Sequence, residues 1–106
     1  MTKATMYWNR MRLEVSGHAG GGTKGNDLIC AGISALISAL IGSLQEAEQR
    51  GRCDMDYDEK DGEARVWADP IMGCSNEIRA YFKMCMKGLR MMEQQYPENV
   101  KAEEVH

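Results

Sequence analysis

The run LICAGISALISALIGSL, residues 28–44, carries no charged side chain over seventeen positions. No other stretch constrains the fold of this 106-residue chain as strongly. Ile29, Ile33, Leu36, Ile37, Leu40, Ile41 and Leu44 recur at helical spacing, and Gly32, Ser34, Ala35, Ser38, Ala39, Gly42 and Ser43 fill the remainder. Seventeen residues is the lower end of what crosses a bilayer, and serine and glycine dilute the run. The expectation is therefore a core helix with no membrane role. A sheet would bury one side and something small-contoured the other, for which a second copy of the helix is a candidate. Asn26 or Asp27 is expected to cap it, and Gly51 to end it after Arg50.

Strand patterns flank this helix. Residues 4–8 and 11–16 read as a hairpin turning at Asn9-Arg10, with Leu13 and Val15 alternating with Arg12 and Glu14. In RCDMDYDEKDGEARVWA, Cys53, Met55 and Tyr57 alternate with Asp54, Asp56 and Asp58, and Ala64 and Val66 lie on the return strand. Its turn is expected at Lys60-Asp61-Gly62. Asp69-Pro70 is expected to open a second helix that continues to about Gln95, with Ile78, Tyr81 or Phe82, Cys85, Leu89 and Met92 facing inward. NVKAEEV supplies a last strand. The order β-β-α-β-β-α-β implies an α+β fold, a two-layer sandwich of a mostly antiparallel sheet with two helices on one face. Residues 1–106 are expected to form one domain.

The formal net charge of −3 argues against nucleic-acid and anionic-membrane partners and favours basic ones. Basic residues are scattered, with Arg10, Arg12, Lys83, Lys87 and Arg90 the only loose groups. Cys30, Cys53, Cys74 and Cys85 show no CxxC spacing and only one interior histidine accompanies them, so no metal site is expected. The opening MTKATMYWNR lacks the apolar stretch of a signal peptide, which implies a cytoplasmic chain with reduced thiols. A chain this short is marginally stable alone, and dimerisation would remedy that.

Chemistry concentrates in VSGHAGGGTKGNDLICAGISAL, residues 15–36. Gly20 to Gly25 formally satisfy GxGxxG between a strand and a helix, but two βαβαβ halves do not fit in the chain. A P-loop fails because Thr23-Lys24 reverses the required order. An anion at the helix N-terminus remains physically reasonable. A plainer reading makes the segment a simple loop, Cys30 a small apolar residue and His18 a surface side chain. A third pairs Cys30 with His18. In the first turn of the helix, free N–H groups and the macrodipole favour an anion, and so a reactive thiolate. An imidazole folded back over the loop would act as base and then acid, and the free N–H groups would serve an oxyanion. Spacing alone leaves these readings open; Cys53, Cys74 and Cys85 are taken as structural.

Gly17, His18 and Ala19, followed by Asp27, Leu28, Ile29, Cys30, Ala31, Ser34, Ala35 and Leu36, resemble the ribosomal-processing cysteine protease family, Prp. The spacing and the later order of elements are similar too. The resemblance implies an endopeptidase with Cys30 as nucleophile and His18 as general base and acid. Asp27 either orients His18 or caps the helix, and Ser34 either bonds near the site or to a helix carbonyl. It further implies a cytoplasmic homodimer without metal or cofactor. Its substrate would be the N-terminal extension of a large-subunit ribosomal protein precursor, with aromatic residues before the cut. Phage relatives trimming capsid or scaffold precursors are an alternative, as is a non-catalytic dimeric peptide-binding module. Family loops usually carry acidic and aromatic residues between the His and the Cys, whereas this chain has Gly20, Gly21, Gly22, Thr23 and Lys24. With Gly25, these glycines suit a flexible lid that orders over bound peptide.

Overall fold

The computed structural model describes residues 1–17 and 24–106, with the backbone alone for 24–27. The strands are β1 (Thr2–Tyr7), β2 (Arg12–Ser16), β3 (Cys53–Lys60), β4 (Glu63–Pro70) and β5 (Val100–Val105). The helices are α1 (Lys24–Gln49) and α2 (Ser75–Gln95). The sheet order is β3-β4-β2-β1-β5. Every neighbouring pair is antiparallel except β1 and β5, which run parallel after α2 carries the chain back across the sheet.

Alternation decides which face is covered. Ala4, Met6, Leu13, Val15, Val66, Ala68, Val100 and Ala102 are buried beneath the helices. Their neighbours Lys3, Arg12, Glu14 and Arg65 occupy the open face, where Arg12 lies over the Trp67 ring at 4.9 Å. α1 buries Ile29, Ile33, Ile37, Leu40, Ile41 and Leu44, and α2 buries Ile78, Phe82, Cys85, Met86 and Leu89. The two helices pack antiparallel through small residues. Gly32 sits against Met92 and Gly88 against Leu36, and the Cys85 thiol donates to the Leu36 carbonyl over 3.7 Å. The charge-free helix is thus a core element on its sheet side, as expected.

Several boundaries differ from the expectation. β1 begins at Thr2, and the first connection is a 3-10 turn over Trp8–Arg10 closed by Met11 at φ +47°. α1 begins at Lys24, so Asp27 is its fourth residue and not its cap, and Gly25 belongs to the helix instead of the loop. Gly51, at φ +73°, does end α1: its N–H bonds to the Glu48 carbonyl and that of Arg52 to Ala47. Asp69-Pro70 does not open α2. Pairing with Asp54 and Cys53 carries β4 through Pro70, and α2 starts at Ser75 after Cys74. Cross-strand pairing overrode a local helix-start signal there.

Candidate active site

A groove of about 260 Å³ opens between the N-terminal half of α1, the end of β2 and the β3–β4 turn. Its floor is the register pair Val15 and Ala64, where a small side chain leaves room. Cys30 lies on its helical wall, half-buried, with Ser34 one turn further along the same face. Facing them are Gly17 and the hairpin tip, whose Glu59, Asp61 and Glu63 make an acidic rim beside Lys60.

Backbone geometry fixes the strand end. Gly17 has φ +89°, and a Cβ there would stand 2.3 Å from the Met1 carbonyl oxygen. Its N–H donates to the Gly62 carbonyl over 2.8 Å, and its own carbonyl accepts from the buried Thr2 hydroxyl at 3.5 Å. A glycine is required because no other residue combines that dihedral with so close an approach. His18 is the next residue in sequence.

Of the candidate residues, the structure puts Cys30 and Ser34 on one groove. His18, Gly20, Gly21 and Gly22 lie outside the described residues, as does the side chain of Asp27. The expected lid and the first residues of the GxGxxG pattern fall there too. Cys30 is the seventh residue of α1, not a first-turn residue. Dipole effects and free N–H groups are confined to the first turn, so they bear on Lys24 to Asp27 more than on the sulfur. Thr2 and the acidic rim were not singled out from sequence. The alternating aspartates mark β3, but only tertiary packing shows that the tip returns to α1.

The other thiols are set apart by burial. Desolvation pushes Cys85 up to about 12. Cys53 is raised by burial first and then by the Glu48 carboxylate. No two of the four cysteines are bonded to each other.

The family model described as cysteine protease Prp matches residues 1–101. The chain belongs to this family. It is a cysteine protease, and so a hydrolase. It is 29% identical over 91 residues to the ribosomal processing cysteine protease Prp of Staphylococcus aureus, an alignment covering 82% of this chain and 79% of that relative. The solved structure of the S. aureus ribosomal processing protease Prp with a substrate peptide matches at a TM-score of 0.75 and 22% identity, over 99% of this chain and 100% of that one. SMU.848 from Streptococcus mutans matches at 0.70 and 22% identity, over 98% and 91% of the two chains. These likenesses show that the two-helix, mixed-sheet architecture is the fold of the Prp proteases.

Proposed function

We propose that the chain is an endopeptidase that removes the N-terminal extension of a large-subunit ribosomal protein precursor, with Cys30 as nucleophile and His18 as general base and acid. One observation carries the reading: in a chain of this protease family, Cys30 stands on an open groove opposite Gly17, the residue that precedes His18. The S. aureus relative is named a ribosomal processing protease, and its structure with a substrate peptide supports a peptide as the substrate here.

The chemistry runs in two halves. The Cys30 thiol gives its proton to the His18 imidazole and the sulfur attacks the scissile carbonyl carbon. The tetrahedral oxyanion collapses to a thioester while the imidazolium protonates the departing amine. Water then loses a proton to His18, attacks the thioester and releases the new carboxylate and the free thiol. Asp27 orients His18, and Ser34 offers a hydroxyl one turn from the sulfur. No metal or cofactor takes part.

The same reading makes the enzyme a cytoplasmic homodimer. Ala31, Ala35 and Ala39 are exposed along α1, and Leu28 and Met84 are 74% and 78% exposed. A shallow cavity of about 110 Å³ between Leu36, Ala39, Tyr81 and Met84 continues this face onto α2. A second copy of so small-contoured a helix face is its natural cover.

The test is incubation with the precursor and mass analysis of the products. Cys30→Ala should fold normally, since the site is only half-buried, and lose cleavage by about a thousandfold or more. Undiminished cleavage by that variant rejects the assignment.

A further inference from the structure

The structure gathers a basic face that the sequence shows only as loose groups. Arg79, Lys83, Lys87 and Arg90 follow one another on α2 at spacings of four, four and three residues, within one side of the helix. With Trp8 and Glu104 they line a cavity of about 280 Å³ beside β5, at the opposite edge of the sheet from β3. Glu104, the acidic side chain lining this cavity, is already engaged. It accepts from the Trp8 indole at 2.8 Å and from the Arg90 guanidinium, in an ion pair with both Nε and Nη2. Arg79 stacks over the Trp8 ring at 4.7 Å, which fixes one end of the row. Lys83 and Lys87 are exposed and make no ion pair among the described residues. A chain of net charge −3 therefore presents one face whose charge is uncompensated and positive.

We propose that this face of α2 binds the phosphate backbone of RNA. The cations stand about 6 Å apart along the axis, one step per four residues. That arrangement suits a repeating anion better than a single acidic group. Met86, the side chain between them that lines the cavity, is buried, and the exposed Met84 and Met91 lie to one side of the row, not among the cations. A lipid surface would need apolar anchors alongside the cations. The contact is with backbone charge, so it is sequence-independent and salt-sensitive. Its biological sense rests on the proposed substrate: a protease acting on a ribosomal precursor would meet that precursor near RNA. The net charge alone pointed away from nucleic acid; the segregation of charge on the fold points toward it.

The experiment is fluorescence anisotropy of a labelled, mixed-sequence single-stranded RNA titrated with the full chain. Binding is expected at about 50 mM salt and should weaken about twentyfold by about 200 mM, as three phosphate contacts on a single strand require. Lys83→Glu/Lys87→Glu should lose at least tenfold in affinity. Lys3→Glu/Lys101→Glu, with the same change of net charge, should lose far less. Poly-glutamate and anionic vesicles serve as competitors, and displacement by either at lower concentration than unlabelled RNA overturns the assignment to RNA. Equal losses in the two double variants, or no binding at low salt, overturn the basic face itself. Cleavage of a short peptide from the precursor should be unchanged in Lys83→Glu/Lys87→Glu. A protease that cleaves but does not bind RNA therefore refutes this inference and leaves the proposed function standing.

Discussion

Gly17 donates its backbone N–H to the Gly62 carbonyl over 2.8 Å, tying the end of β2 to the turn of the second hairpin. The bond joins two walls of the groove at the residue before His18. Gly17→Ala should therefore disturb both fold and site. The left-handed dihedral alone costs about 1–2 kcal/mol for a side chain, and contact with the Met1 carbonyl adds to it. Urea denaturation should show a loss of about 2 kcal/mol or more. A variant as stable as the parent would mean that the strand end is less constrained than its geometry indicates.

Thiol reactivity should divide by burial. Iodoacetamide at neutral pH is expected to modify Cys30 and to spare Cys53 and Cys85, which are 2% and 4% exposed. Both also have thiols raised by desolvation. Cys74, half-buried beside the start of α2, is a poorer internal control than Cys53 or Cys85. Peptide mapping against time gives the order, and loss of cleavage should follow Cys30 alone. Labelling of Cys85 in the folded protein as fast as Cys30 would contradict this.

The Glu104 cluster should show in the acid limb of stability. Hydrogen bonds from Arg90 and then Trp8 hold its carboxyl below the ordinary value of 4.5. A lowered folded value adds stability that is complete above the unfolded value and is lost as pH falls through the folded one. Glu104→Gln should thus be less stable by about 1 kcal/mol near neutral pH, with the gap closing at acid pH. Thermal unfolding of both proteins between pH 7 and about pH 3 checks this. A gap that stays constant would assign the effect to packing.

The outer face of α1 should report assembly. Ala39→Glu places a charge on the exposed side, away from Cys30 and Ser34 by at least one turn. Light scattering should show a dimer for the parent and a monomer for the variant. Helical content should be unchanged, because Ala39 is itself exposed. A variant of unchanged mass would move the interface elsewhere.

Most of the architecture was legible because alternation and helical period are local properties of the chain. Ile29, Ile33, Ile37, Leu40, Ile41 and Leu44 and the stripe Ile78, Phe82, Cys85 and Leu89 read correctly as core, with Leu36 and Met92 partly buried against it. Phe82, not Tyr81, is the buried member of its pair, since Tyr81 turns aside to donate to Glu77 at 3.2 Å. Asp69-Pro70 misled because its local signal is that of a helix start, whereas pairing with β3 extends the strand through it. Asn26 and Asp27 mislead in a similar way: both are good caps by local chemistry, yet the helix starts at Lys24 and runs past them.

By itself, the sequence determined the layers and the family: a charge-free helix, two hairpins, and the Gly-His-Ala and Asp-Leu-Ile-Cys segments that resemble the Prp proteases, whose family model matches residues 1–101. It could do so because periodicity and motif spacing involve neighbours along the chain. Only the tertiary structure decided that the second hairpin's turn closes the groove beside Cys30, and that Lys83, Lys87 and Arg90 share a face whose nearby acid is neutralised. Both depend on long-range pairing, Gly17 with Gly62 and Arg90 with Glu104, and burial and charge balance are set by such contacts across the fold.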